Sequence, residues 1–219
     1  MPLDSDALRA ILDFLAKAVA AGCGAWAAFR LQESREVRKQ RQEYLYALRE
    51  ALFALSAQRS YLLNLEQQHL EPLRGDAERH LLMKPLFGAG PLQSLDFKKL
   101  VFLLKFKETG SLISELHLAE ARCQTAVELV QERNGVHSRF QARLEVAPEG
   151  SGEINSDSIS LLVGRSTVQQ LRALTDGLYL AVADGISTNR TAASGIQEFM
   201  KTAFPNERVP RLIEGPGEP

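Results

Sequence analysis

Between Ala25 and Leu70 the chain contains neither proline nor glycine. The two residues that most readily break a helix are therefore missing over a stretch far longer than an average helix. Within it, Leu45, Leu48, Leu52, Leu55 and Leu62 recur at the heptad spacing of a coiled coil, with Arg59 in the remaining slot. Leu63 and Leu65 widen the stripe toward its end, which suits packing against several helices rather than one. Pro72 and Gly75 then stop it. Upstream, Asp4 or Ser5 supplies a cap for free backbone donors. Asp6, Arg9, Asp13 and Lys17 follow at helical steps and form one charged stripe. The spacing predicts a helix from about Asp4 that runs without a break to Leu70.

The rest of the chain repeats this helical grammar. No alternating run bounded by a hairpin turn is present, so strands are not expected. Met83–Leu92 reads as a Pro/Gly connector and Asp96–Lys107 as a short helix. Ser111 is placed to cap a long helix to about Leu144, with Asn134 and Gly135 marking where it could be interrupted. Its apolar stripe is Leu112, Leu116, Ala119, Cys123, Val127 and Val130. Glu145–Ser158, rich in Gly, Ser and acids, reads as a mobile surface loop. A last helix is expected from about Ser166 to Ala203, on a stripe including Leu171, Leu174, Leu178, Val182 and Ile196. Its segment Gly185–Gly195 is small and polar, which weakens a helix locally, invites a kink, or lets a neighbour come close. The tail from Asn206 is expected to fray. The expected fold is all-α: an antiparallel helical bundle built on long helices, with a projecting N-terminal apolar helix. Residues 1–31 form that helix, 32–205 the bundle with loops near 71–95 and 145–165, and 206–219 a flexible tail.

Composition narrows the function classes. Of 219 residues, 45% are hydrophobic and 24% charged, which is ordinary globular material. A formal net charge of -1 supplies no basic field for nucleic acid, so no nucleic-acid partner is expected. Two distant cysteines, Cys23 and Cys123, make no disulfide framework and no zinc site.

The segment Ala18–Phe29 carries no charge. Those residues cover only ~18 Å of helix, whereas a bilayer core is ~30 Å thick. The segment spans only if Lys17 and Arg30 snorkel outward and Asp13 compensates Lys17. Trp26 and Phe29 then sit where aromatic anchors belong. Arg30, Arg35, Arg38, Lys39 and Arg41 form a basic flank that would put the N-terminus outside and the bundle in the cytoplasm, with an inner (plasma) membrane between. The competing reading makes the same helix an oligomer seam of a soluble cytoplasmic protein; a third lays it along a membrane surface. A lipoprotein-type signal around Ala20–Cys23 is disfavoured by Asp13 and Lys17 in what would be its apolar region. In plan, the chain resembles many single-pass bacterial proteins, and no motif assigns a family.

Glu66 and His69 have the Glu-x-x-His spacing of di-iron bundles, but no second such motif exists. Val163–Thr167 contains Gly-x-Ser without the second glycine of a nucleophile elbow, and reads as a Gly turn before a helix. Cys123 lies on an apolar stripe and reads as a core residue. His80 and His137 have no obvious partners, and no phosphate-cradling loop is present. No catalytic residue, metal or cofactor is assigned. Phe87, Phe97, Phe102 and Phe106 concentrate aromatic surface in one segment, either a plug on the end of the bundle or a partner-docking face. The expected function is a non-enzymatic, membrane-anchored helical scaffold or adaptor. It would touch the lipid bilayer through its first helix and a second copy or a helical protein elsewhere. The alternatives are a soluble helical interaction module with a seam helix, and a metal-binding helical-bundle enzyme.

Overall fold

The computed structural model describes residues 5–86, 92–107, 109–145 and 156–210; the side chains of residues 5–22, 25, 27 and 156–158 fall outside that description. Among the described residues every regular element is helical. The chain divides into two compact units, Met1–Tyr46 and Ala47–Pro219.

The first helix, α1, is Ser5–Leu65; it runs through Gly22 and Gly24, and the stretch from Ala25 onward, free of Pro and Gly, carries it unbroken to Leu65. It does not stop at once. Glu66–Leu70 forms a π-helical turn and Glu71–Leu73 a 3-10 turn that accepts Pro72 in its first residues, where a missing N–H costs nothing. The wide turn is tied off by the Tyr179 hydroxyl, which donates to the Leu70 carbonyl at 2.7 Å. Every leucine of the heptad stripe is buried, and so is Arg59 in its slot. Each leucine fully withdrawn from water is worth about 2 kcal/mol.

Two short helices follow, α2 at Arg79–Leu82 and α3 at Phe97–Leu100. Asp96 caps α3 by accepting from the Lys98 N–H, and a 3-10 turn, Val101–Lys105, continues it. The expected single helix over Asp96–Lys107 is thus a composite. Helix α4, Gly110–Glu145, is continuous through Asn134 and Gly135. It begins one residue before Ser111, just after Thr109, whose hydroxyl donates to the carbonyls of Leu103 and Phe106 and so fixes the bend ahead of the helix. Its buried face contains Ala126 where the stripe had suggested Val127, and extends past Val130 through Arg133, Val136, His137 and Phe140.

Residues 146–155, the centre of the expected mobile loop, lie outside the described residues, as do 211–219 of the expected tail. An additional helix, α5, occupies Ser156–Val163. Gly164 then turns the chain at φ +95°, a conformation L side chains rarely adopt, and α6 runs Arg165–Ala203. Arg143 fastens this corner, donating from Nη1 to the Val163 carbonyl at 2.5 Å and to Thr167 Oγ1 at 2.9 Å.

In the second unit α6 is antiparallel to both other long helices. Arg133 of α4 meets Thr175, Arg122 meets Asp184, and Leu112 lies against Gly195. Likewise Leu62 of α1 lies against Gly185, and Arg49 pairs with Glu207 beyond the end of α6. Helices α1 and α4 run parallel, because the connection from Glu66 to Thr109 carries the chain back before α4 starts. The small segment of α6 is a contact surface. A Cβ on Gly185 would fall 2.8 Å from Leu62 Cδ1, and one on Gly195 equally close to Leu112 Cδ1. The helix stays unbroken there, and its neighbours close in. The central core gathers Leu62, Leu65, Cys123, Ala126, Val130, Leu178 and Val182, with Met83 and Leu86 of the connector closing over them.

Candidate functional site

Helix α1 displays the first candidate. Trp26 is 64% exposed, Phe29 67%, Leu31 55% and Val37 61%; the first buried residue among those described is Leu45. Arg30 lies over the Trp26 ring at 5.6 Å and pairs with Glu33 at 3.3 Å. Lys39 and Glu43 form a similar exposed pair. The side chains of Asp13 and Lys17, on which the spanning arrangement depended, lie outside the described residues. Among the described residues no helix is long and apolar enough to cross a membrane. Cys23 is an exposed free thiol in the same stretch.

The aromatic segment is dispersed by the fold. Phe87 lies outside the described residues. Phe97 stacks on His117 with centroids 3.8 Å apart and planes parallel within 1°. Phe102 is buried, and Phe106 contacts it edge-on at 6.5 Å while meeting Phe199 of α6 at 5.0 Å. Phe102 and Phe106 therefore cover one end of the bundle, leaving Val101 and Leu104 exposed. Beside them a cavity of about 850 Å³ lies between the start of α4 and the end of α6, walled by Phe106, Leu112, Phe199, Glu115, Ser194 and Glu198. The hydroxyls of Thr109, Thr191 and Thr202 on its wall are already donated to backbone carbonyls.

The most unusual chemistry lies deeper, where α4, α6 and the connector meet. Arg133 is 0% exposed. Its Nε donates to Thr175 Oγ1 at 3.0 Å, its Nη2 to the carbonyls of Met83 at 2.7 Å and His80 at 3.4 Å, and its Nη1 to that of Lys84 at 3.3 Å. Burial lowers its pKa to about 10, so it remains charged at neutral pH. Neighbouring Asn134 holds the Leu86 backbone at both ends, accepting from its N–H and donating to its carbonyl. Around Arg133 sit His80 and His137, 1% and 4% exposed. Both ring nitrogens of His80 and Nδ1 of His137 have no hydrogen-bond partner. Burial is the main cause that lowers both histidine pKa values; Arg172 adds to it at His80, where Arg133 contributes least, and Arg133 adds to it at His137. The rim is polar: Arg79 donates to Asp176 at 2.7 Å and lies over the Tyr179 ring at 4.8 Å.

Sequence spacing had left His80 and His137 without a role. The signal for His137 was nevertheless there, since Val130, Arg133, Val136, His137 and Phe140 continue the buried spacing of α4. Glu66, one half of the Glu-x-x-His pair, is engaged by Arg74 at 3.2 Å. Among the described residues no three His, Cys, Asp or Glu side chains are grouped to hold a metal ion. Cys123 is a core thiol, its pKa pushed up to about 11 by burial. No protein family, curated protein or solved structure matches the chain.

Proposed function

We propose that the protein is a helical interaction module that self-associates through the N-terminal part of α1. The observation that carries this reading is the exposure of Trp26, Phe29, Leu31 and Val37 on one helix. Exposed aromatic and aliphatic side chains grouped on one element mark a contact surface. Leu8, Leu12, Leu15, Val19, Gly22 and Trp26 succeed one another along α1 at alternating steps of four and three, the spacing of a helix–helix seam. The paired charges Arg30–Glu33 and Lys39–Glu43 suit a flank that stays in water beside such a seam.

A second reading draws on the same apolar residues and on the basic stretch Arg30–Arg41. There the helix enters a bilayer as a single anchor and the bundle acts as a cytoplasmic adaptor. Light scattering and liposome flotation on the full-length chain separate the two. Self-association is expected to give a defined oligomer without detergent. Deleting residues 1–30 then yields a monomer with unchanged bundle stability. A bis-maleimide reagent is expected to join two copies through Cys23, and Cys23→Ser abolishes the product. A full-length chain that is monomeric without detergent at all concentrations sinks the seam. Flotation with lipid that is lost on the same deletion supports the anchor.

A further inference from the structure

A buried charged group is the main hydrogen-bond donor to the backbone of the connector that closes over the core. Arg133 reaches the carbonyls of His80, Met83 and Lys84, which lie in or just after α2. Asn134 adds two bonds to Leu86, and the side chains of Met83 and Leu86 are buried. Helix α2 is only four residues long and has no side-chain cap. Besides this clamp and the two buried apolar side chains, it is tied to α6 by the Arg79–Asp176 pair at 2.7 Å and packs Leu81 against the cluster around Val136 and Leu171.

Two buried histidines lie close to the clamp in the chain: His80 lends it a backbone carbonyl and His137 follows Arg133 on α4. His137, one turn beyond Arg133 on α4, is buried in the layer of Phe140, whose ring lies 5.8 Å from its own. The described charge acting on it is that of Arg133, which opposes protonation. His80 is placed from α2. It faces Glu78 at 3.7 Å, and Asp176 and Arg172 act on it from α6 and Arg133 from α4. The two carboxylates are already engaged, Asp176 by Arg79 and Glu78 by Arg172. Neutral rings are compatible with one buried guanidinium. Protonated rings would add two buried positive charges to that of Arg133, with carboxylates facing only His80 and both of them already paired.

We infer that His80 and His137 make the connector a pH-sensitive latch: charging them beside Arg133 releases α2 and Met83–Leu86 and uncovers the core beneath. The direction follows from linkage. Above the ordinary histidine value of 6.5, both rings are neutral whether the latch is closed or open, and closure does not depend on pH. Below it, the open form binds protons that the closed form refuses, so closure weakens as the pH falls. Release exposes Leu62, Leu65, Cys123 and Leu178, an apolar trough at the meeting of three helices. The inference is independent of how α1 associates.

The test is a pH series on the full-length protein, reading histidine ring titration and amide hydrogen exchange by NMR. As the pH falls from 8 to 5, His80 and His137 are expected to titrate below the free-histidine value. Amides of Arg79–Leu86 should lose protection, after correction for intrinsic exchange, while those of Leu116–Val130 stay protected. The opening equilibrium should steepen by up to about tenfold per pH unit for each histidine. The double variant H80Q/H137Q should hold the connector protected at acidic pH. Unchanged pH dependence in that variant would overturn the latch. Should the variant fail to fold, the wild type alone decides. Connector amides that stay protected through the histidine titration, or that are lost together with the whole bundle, overturn it equally.

Discussion

Arg133 is expensive to bury and more expensive to remove. Its acceptors are neutral carbonyls and one hydroxyl, so no carboxylate offsets the charge. Arg133→Met would leave the carbonyls of Met83 and His80 buried without a donor, and a loss of about 3 kcal/mol is expected from urea unfolding. Two glycines make a matched pair of opposite sign. A methyl at Gly185 meets the fully buried Leu62 at 2.8 Å, so Gly185→Ala should cost about 1–3 kcal/mol by overpacking. A methyl at Gly135 meets nothing within 4 Å, so Gly135→Ala should stabilise α4 by about 0.5–1 kcal/mol. The thiols differ in the same readable way. Cys23 is exposed, while Cys123 is buried with its pKa pushed up to about 11. A maleimide should label one thiol in the native protein and two in denaturant.

At the scale of elements, Asn134 is the cleaner probe of the connector, because it carries no charge. Asn134→Ala removes both bonds to the Leu86 backbone and should raise amide exchange over Met83–Leu86 at every pH, at a cost of about 1–2 kcal/mol. Long elements were readable from spacing. In α1 the leucines from Leu45 to Leu62 are buried as their heptad steps require, and even Arg59 takes its slot inward. The apolar stripe of α4 slips by one residue at Ala126 and Val127, since both are small and apolar and periodicity does not choose between them. It stops at Val130 because the next inward positions, Arg133 and His137, are polar, although the three-and-four spacing continues. Helix α2 is four residues and α5 eight, too short to hold enough turns of a repeating pattern. The π turn at Glu66–Leu70, closed by the Glu71 N–H on the Glu66 carbonyl, has no counterpart in the spacing of side chains, and the Tyr179 bond to Leu70 beside it is made across the fold.

For the molecule as a whole, the parallel run of α1 and α4 is the feature spacing could not supply. A short loop between them would have forced them antiparallel; the stretch from Glu66 to Thr109 is long enough to return. Every side chain described between Cys23 and Glu43 is exposed, and a chain lacking residues 1–30 is expected to unfold at the same temperature as the full-length protein at high dilution. A drop in that temperature would show that the bundle leans on the missing segment. Trp26 gives this segment a voice of its own. It is the chain's single tryptophan, it lies outside the bundle core, and the Arg30 guanidinium rests on its ring. Excited near 295 nm (roughly the wavelength where tyrosine is silent), the native protein should emit as a solvent-bathed indole, with the bundle optically dark. A blue shift on raising protein concentration would report pairing, and the same shift on adding lipid vesicles would report insertion. One unmodified fluorophore can therefore distinguish what the segment meets.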